Sequence, residues 1–230
     1  MKLNHLVIIP DGNRRWAKKH FKEASLGHEE GSLQFEKIYQ KIVEIKIPYF
    51  SFWGASYDNL TKRSPLETEN LLNIFHKQFE RLLNDERIMK ESINVNFIGR
   101  WQEVFKKETQ EIIFKIIEKT KNNKKLVLTF LLAYNGTDEM IDAIKTIKEK
   151  DLEVNEKNIK ESLWTKNLPP VDLIIRTGAG EDPHNSAGFM MWDTAYSQLH
   201  FTETLFPEFK EAELEEIINN FNLRERRHGK

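Results

Sequence analysis

The chain has 230 residues, with 35 basic side chains, 36 acidic side chains and no cysteine. This length suits one domain with its own core, the lack of cysteine excludes thiolate and disulfide chemistry, and the balanced charge argues against a nonspecific nucleic-acid binder. No apolar stretch approaches the roughly 20 residues that span a bilayer, and residues 1–5 do not resemble a signal peptide. We therefore expect a soluble, cytoplasmic protein with no nucleic-acid partner.

Short apolar runs alternate along the chain with longer amphipathic stretches. The apolar runs predict strands at residues 5–9, 48–53, 93–97, 126–132, 171–175 and 189–192. Helical spacing predicts helices at residues 31–45, 66–83, 104–120, 138–147, 155–164 and 212–221. Strands that alternate with helices favour right-handed crossovers. Residues 1–230 are therefore predicted to form a single α/β domain, with a mostly parallel central sheet flanked by helices.

The loops after the predicted strands form the expected ligand site, because open α/β sheets bind ligands beyond the carboxyl ends of their strands. The first strand is followed by a turn that contains Asp11, Gly12, Asn13, Arg14 and Arg15. Amides at a helix start attract anions, glycine permits close backbone approach, and arginines match phosphate oxygens. A carboxylate repels a diphosphate unless Mg²⁺ bridges the two, so Asp11 indicates a Mg²⁺ site. In the alternative, Asp11 only caps a helix and the arginines face solvent.

Two further strand ends carry basic side chains. The strand that ends at residue 53 is followed by Ser56, Tyr57, Asp58, Asn59, Thr61, Lys62 and Arg63. The strand that ends at residue 175 is followed by Arg176, Thr177 and the flexible Gly178, Ala179 and Gly180. In a parallel sheet these ends share one edge with the first turn. Together the three loops predict a site for a polyanion with more than one phosphate group.

Three features near this edge allow two interpretations each. His28 is either a satisfied hydrogen-bonding group or a donor to a diphosphate oxygen that can also shuttle a proton. Trp16 either packs in the core or covers an apolar substrate. The helix at residues 66–83 is rich in Leu and Phe, so it is either ordinary core or one wall of an apolar tunnel.

Several segments, in one consistent order, resemble the cis-prenyltransferases, and the bacterial undecaprenyl diphosphate synthases in particular. The resemblance rests on DGNRRWAKK with GHEEG, SYDNLTKRSPLE, VNFIGR, LTFLLAYNGTDEM, VDLIIRTGAGE, FMMWDTAYSQLHFTETLFPEF and RERRHGK. It covers nearly the whole chain. A noncatalytic partner subunit of a heteromeric synthase is disfavoured because such subunits tend to lose the Asp-Gly-Asn turn, which is intact here. An anion-binding regulatory module is the remaining alternative.

The resemblance implies condensation of isopentenyl diphosphate onto an allylic diphosphate such as farnesyl diphosphate, with each new double bond cis. The expected product is a long polyprenyl diphosphate, the undecaprenyl precursor of a cell-wall carrier lipid. The family further implies a homodimer, a need for Mg²⁺, and an apolar tunnel for the growing chain. Because the product is a lipid, peripheral contact with the inner face of the membrane is also expected.

The resemblance also implies roles for individual residues. Asp11 is implied to bind Mg²⁺, and Asn59 to handle the proton that isopentenyl diphosphate loses. Arg176 is implied to hold isopentenyl diphosphate, and Arg227 to reach the site of the partner subunit. The allylic diphosphate and its surroundings are assigned to Gly12, Asn13, Arg14, Arg15, Trp16, His28, Ser56, Tyr57, Asp58 and either Lys62 or Arg63.

The chain departs from the family pattern at four places. Ala24 stands where an arginine is usual. Arg14 replaces a common glycine, and its positive charge compensates in part for the arginine that is absent at position 24. Gln198 stands at the position of a glutamate that completes the Mg²⁺ site, so any metal binding there is expected to be weaker. The loop at residues 180–188 is longer than usual and lacks an arginine, for which the available substitutes are His184, Asn185 and Ser186.

Overall fold

The computed structural model describes residues 2–180 and 183–224. Its strands are β1 (His5–Ile9), β2 (Tyr49–Ala55), β3 (Ile93–Ile98), β4 (Leu126–Leu132), β5 (Leu173–Arg176) and β6 (Gln198–Phe201). Its α-helices are α1 (Asn13–Lys19), α2 (Ala24–Ile45), α3 (Tyr57–Thr61), α4 (Pro65–Asn84), α5 (Glu86–Lys90), α6 (Trp101–Val104), α7 (Lys107–Thr120), α8 (Gly136–Glu149), α9 (Glu156–Ser162) and α10 (Glu211–Leu223). In this part of the chain, no helix is both long and apolar enough to cross a membrane.

The six strands form one sheet in the order β3-β4-β2-β1-β5-β6, and every neighbouring pair is parallel. The predicted α/β architecture is confirmed, and the sheet is wholly rather than mostly parallel. Ile9 of β1 lies opposite Arg176 of β5, which in turn lies opposite Phe201 of β6. The loops that follow these strands therefore emerge at one edge of the sheet.

Strand β1 is buried along its whole length because helices cover both faces of the sheet. Leu6 and Ile8 point to one face and join a large apolar cluster with side chains from α2, α4, α7 and α10. Val7 and Ile9 point to the other face and join a smaller cluster that includes Phe189. This strand fixes the position of the Asp-Gly-Asn turn that follows it.

Three sequence predictions of elements need correction. Residues 189–192 form turns rather than a strand, and Met190 has a φ of +43°, which no strand permits. The sixth strand is instead β6, where polar and apolar residues alternate. The helix predicted at residues 104–120 is interrupted at Phe105, whose backbone is extended. Helix α2 begins at Ala24 rather than at residue 31, so His28 lies inside its second turn.

Candidate active site

The Asp-Gly-Asn turn depends on a glycine that no other residue can replace without strain. Gly12 has a φ of +107° and immediately precedes α1. A Cβ atom at this position would lie 2.7 Å from Leu205 Cδ2, so the close approach of the 205–206 segment also requires glycine. The backbone amide of Phe206 donates to the carbonyl of Asp11 at 3.0 Å. This packing holds Asp11 at the mouth of the site with its carboxylate 40% exposed.

Asp11 lies between two arginines. Arg176 Nη2 donates to Asp11 Oδ2 at 3.0 Å, and Arg15 Nη2 lies 3.2 Å from Asp11 Oδ1. The Thr177 hydroxyl completes the arrangement by accepting from the Asp11 amide at 3.0 Å. Neighbouring parallel strands bring these residues together across the sheet. The sequence predicted both cations for the same edge, but it did not predict that they contact the carboxylate.

Arg176 is almost completely buried, and the long loop after β5 holds it. Its Nη1 donates to Ser186 Oγ at 2.6 Å and to the carbonyl of His184. Its Nε is buried without a partner among the described residues. Of the three predicted substitutes for the missing family arginine, Ser186 and His184 therefore contact Arg176. Asn185 instead donates to the carbonyl of Phe189 at 3.3 Å.

A second group of charged residues faces the turn from α2 and α4. Arg63 Nη1 donates to Glu67 Oε1 at 2.9 Å and lies 3.4 Å from His28 Nε2. Arg14 Nε lies 3.5 Å from the same carboxylate oxygen. Burial, together with the positive charge of Arg63, lowers the pKa of His28 to about 4. His28 is therefore neutral at pH 7, and its Nε2 can accept the hydrogen bond from Arg63.

Lys62 and Arg63, the two basic residues after β2, lie in different surroundings, and only Arg63 lines the headgroup cavity described below. Lys62 is exposed and its Nζ pairs with Asp58 Oδ2 at 2.8 Å, one helical turn away. Arg63 instead turns inward to Glu67 and His28. Arg63 therefore lies in the site and Lys62 does not.

These groups surround one polar cavity of about 850 Å³, which we call the headgroup cavity. Its lining contains more basic than acidic side chains: Arg14, Arg15, Lys18, Lys22, Arg63 and Arg176 against Asp11 and Asp58. Gly12, Asn13, Ala24, His28, Ser56, Asn59 and Ser186 also line it. Sequence reasoning missed Lys18 and Lys22. Lys18 follows Arg14 at the i,i+4 spacing that places side chains on one helix face, a signal that could have identified it.

Two residues predicted to contact substrate, Trp16 and Tyr57, do not line the headgroup cavity. Trp16 is 8% exposed, stacks on His20 with ring centroids 4.4 Å apart, and carries Lys22 Nζ 4.8 Å from its ring centroid. This favours the core-packing interpretation over a lid. The Tyr57 ring lies 3.7 Å from the Arg100 guanidinium and is not part of the headgroup cavity.

Gln198 does not line this cavity. Gln198 is the first residue of β6, three positions before Phe201, whereas Asp11 lies two positions beyond Ile9. The chain turns after Ile9, where the Asp11 amide donates to the Ile9 carbonyl at 3.1 Å. At about 3.3 Å per residue, the three β6 positions before Phe201 place Gln198 roughly 10 Å from the end of the sheet at which Asp11 lies. Gln198 Oε1 accepts from Arg224 Nη1 at 3.2 Å instead. Arg227 lies outside the described residues.

An apolar cavity of about 360 Å³ lies next to the headgroup cavity, between α2, α4 and the sheet. Aromatic and aliphatic side chains form most of its wall: Phe35, Tyr39, Phe52, Leu71, Ile74, Phe75, Phe79, Leu82, Phe130 and Phe206. Pro10, Asn13, His28, Gly54 and Leu71 line both cavities. The helix predicted as a possible tunnel wall is α4, and it lines this cavity. The two spaces together match a ligand with an anionic head and a long apolar tail.

The donor set at the turn fits Mg²⁺ that binds together with a diphosphate. No cluster of three or more His, Cys, Asp or Glu residues in the described ranges could hold a metal ion alone. Mg²⁺ does not need such a cluster, since it is usually held by one or two carboxylates, substrate phosphates and water. Asp11 lines the headgroup cavity among basic side chains, and its carboxylate is partly exposed, as such a site requires.

Comparison with known proteins agrees with this geometry. Residues 9–229 match the family model described as a putative undecaprenyl diphosphate synthase. A tritrans,polycis-undecaprenyl-diphosphate synthase (geranylgeranyl-diphosphate specific) from Pyrococcus horikoshii is 35% identical over 98% of this chain and 86% of its own length. An isoprenyl transferase from Thermus thermophilus is 34% identical over 98% of this chain and 88% of its own length.

Solved structures give the same result. A lavandulyl diphosphate synthase from Lavandula x intermedia, in complex with dimethylallyl diphosphate, has a TM-score of 0.90 and 25% identity, covering 100% of this chain and 99% of its own. A probable undecaprenyl diphosphate synthase from Campylobacter jejuni has a TM-score of 0.81 and 28% identity, covering 100% of both chains. With its sequence match, its fold and its joined cavities, the chain belongs to the undecaprenyl diphosphate synthase family and is a cis-prenyltransferase.

Proposed function

We propose that this enzyme condenses isopentenyl diphosphate units onto farnesyl diphosphate with cis stereochemistry. The product is a long polyprenyl diphosphate of undecaprenyl type, which serves as the precursor of a cell-wall carrier lipid. The observation that carries the proposal is the junction of the two cavities. A diphosphate in the headgroup cavity places its hydrocarbon at the entrance of the apolar cavity, where each added unit can extend inward.

The allylic diphosphate is held by the turn after β1. Residues 12–15, Arg63 and His28 line the headgroup cavity. The amides at the start of α1, the Arg15 side chain and the Arg63–His28 pair would bind the oxygens of this diphosphate. Asp11 would hold Mg²⁺ together with the diphosphate, and the ion would supply charge neutralisation for the leaving group. Arg15, which also contacts Asp11, would compensate the same developing charge.

Isopentenyl diphosphate is held on the β5 side by Arg176 and by the loop that carries Ser186. The new carbon–carbon bond forms as the allylic diphosphate leaves with its electron pair, and a proton is then lost from the isopentenyl unit. Asn59 is the residue proposed to handle this proton. Its backbone amide donates to Ser56 Oγ at 3.0 Å, and this cap fixes the start of α3 beside the headgroup cavity.

We further propose a homodimer, in which Arg227 serves the partner subunit's site, and a cytoplasmic location with peripheral membrane contact through the lipid product. Equilibrium sedimentation tests the first of these, and a monomer at micromolar concentration would contradict it. Co-sedimentation with vesicles in the presence and absence of product tests the second. Binding that does not depend on product would contradict the proposed mode of contact.

The choice of primer needs a direct test, because the Pyrococcus horikoshii protein is named as geranylgeranyl-diphosphate specific. The test supplies radiolabelled isopentenyl diphosphate and Mg²⁺ with farnesyl, geranylgeranyl or dimethylallyl diphosphate in separate reactions. Thin-layer chromatography then measures product length. We expect the highest kcat/KM with farnesyl diphosphate. A preference for geranylgeranyl diphosphate would contradict the assignment of farnesyl diphosphate as the primer. No incorporation of isopentenyl diphosphate with any primer would contradict the proposed function.

A further inference from the structure

The loop that holds Arg176 is anchored at its far end by a buried tyrosine. The backbone amide of Met190 donates to the Tyr134 hydroxyl at 3.2 Å, and both residues are completely buried. The ring of Phe189 packs against the ring of Tyr134 with centroids 5.7 Å apart. Residues 184–190 are therefore fixed at two points. One is the contact of Ser186 with Arg176, and the other is the Tyr134 hydroxyl.

Glu139 sets the orientation of that hydroxyl. The Tyr134 hydroxyl donates to Glu139 Oε2, while Glu139 Oε1 accepts from the Thr165 amide at 2.8 Å. Glu139 is 2% exposed, and burial raises the pKa of its carboxyl group. A phenol has one hydrogen to donate, so donation to Glu139 leaves its oxygen free to accept from Met190. This geometry gives the hydroxyl a single orientation.

Helix α8, which carries Glu139, also touches the loop directly. A Cβ atom on Gly136, the first residue of α8, would collide with the carbonyl oxygen of Gly188. The backbone of the helix start therefore lies against the backbone of the loop. Because Tyr134 comes immediately before this helix, one short segment supports the loop through both main-chain packing and a hydrogen bond.

We propose that Tyr134, oriented by Glu139, is a positioning residue for Arg176 and so for binding of isopentenyl diphosphate. Neither side chain lines the headgroup cavity. Their effect passes from Tyr134 to Met190, through the loop to Ser186, and from Ser186 Oγ to Arg176 Nη1. This inference rests on the proposed function, because it takes Arg176 as the group that holds isopentenyl diphosphate.

The test replaces Tyr134 by Phe, which keeps the buried ring and removes only the hydroxyl. We expect the KM for isopentenyl diphosphate to rise about three- to tenfold, the range expected for the loss of one buried hydrogen bond. The KM for the allylic primer and kcat should change by less than about twofold on the same grounds. Tyr49→Phe is the matched control, since Tyr49 lies at the opposite end of the sheet and packs against the same apolar cluster.

A double variant with Ser186→Ala makes the test specific. Since both substitutions act on Arg176 through one loop, their combined effect on the KM for isopentenyl diphosphate should be smaller than the product of the single effects. Multiplicative effects would overturn the inference. So would a Tyr134→Phe variant that melts at a lower temperature with an unchanged KM. The proposed function itself fails only if the wild-type protein incorporates no isopentenyl diphosphate, a result that the same assay reports separately.

Discussion

The headgroup cavity and the apolar cavity share five lining residues, yet they are built in opposite ways. The headgroup cavity collects charged side chains from segments that are far apart in sequence and meet at one edge of a parallel sheet. The apolar cavity is a gap between α2, α4 and the sheet, lined by residues that recur at helical spacing. The first depends on a few exact contacts, and the second depends on total volume and shape. Substitutions in the headgroup cavity should therefore reduce turnover or substrate binding, whereas substitutions in the apolar cavity should change the length of the product.

The largest effect is expected at Asp11. Asp11→Ala removes the carboxylate proposed to share Mg²⁺ with the leaving diphosphate, and turnover should fall by at least about 100-fold, as for other lost electrostatic groups in active sites. Incorporation of radiolabelled isopentenyl diphosphate measures this loss. The circular dichroism spectrum should remain that of the wild type, because Asp11 is partly exposed. A near wild-type rate would remove Asp11 from the metal role.

Arg63 and Lys62 form a matched pair in the same loop. Arg63→Ala should raise the KM for the allylic diphosphate about tenfold or more, because a partly buried cation that faces phosphate oxygens is lost. Lys62→Ala should change it less than about twofold, because an exposed ion pair contributes little. Steady-state kinetics on both variants provide the measurement. Equal effects at the two positions would show that the inward orientation of Arg63 has no role in binding.

A substitution in the apolar cavity should change product length rather than the chemistry at the headgroup. Ile74→Trp adds bulk to the wall of α4, so products should become shorter while the rate of the first condensation stays within about twofold. Leu66→Trp is the control, since Leu66 is an exposed residue of the same helix. Chromatography of the products distinguishes the two variants. Shorter products from both, or from neither, would contradict the assignment of this cavity to the growing chain.

A prediction about folding stability rather than activity concerns His28, which lies where the two cavities meet. Its folded-state pKa of about 4 is below the ordinary value of 6.5, so the unfolded chain binds a proton between these pH values that the folded chain does not. This histidine therefore lowers the free energy of unfolding as pH falls from 6.5 to 4, by at most about 1.4 kcal/mol per pH unit.

Urea unfolding at several pH values tests this coupling in wild type and in His28→Gln. The variant should lose less stability than the wild type as the pH falls below 6.5. Burial also lowers the pKa of His5 and His200. These two histidines are present in both proteins, so their contributions cancel in the difference. A difference in stability that does not change with pH would contradict the neutral, buried state of His28.

Sequence patterns predicted most of the sheet and most of the headgroup cavity for identifiable reasons. Buried parallel strands such as β1 are continuous apolar runs, and charged residues directly after them are conspicuous. Strand β6 was missed because it lies at the edge of the sheet, where polar residues alternate with apolar ones. Residues 189–192 were wrongly predicted to form a strand. Phe189 and Met190 are apolar because they fill the core beside Tyr134, and the positive φ of Met190 excludes a strand.

Contacts between distant residues could not be predicted in this way. Arg176 reaches Asp11 only because β5 is the neighbour of β1. The order of strands in the sheet cannot be predicted from the spacing of residues within each segment. The choice between Lys62 and Arg63 could not be made from the sequence either, because the inward direction of Arg63 depends on its contacts with His28 of α2 and Glu67 of α4.

The central claim is that one ligand occupies both cavities, with its diphosphate on the turn of residues 11–15 and its hydrocarbon between α2 and α4. A crystal structure with Mg²⁺ and a non-hydrolysable thio analogue of farnesyl diphosphate tests it most directly. The account predicts diphosphate oxygens within hydrogen-bond distance of the amides after Gly12 and a hydrocarbon tail against Phe35 and Phe79. A diphosphate bound away from this turn, or a tail outside the apolar cavity, would contradict it.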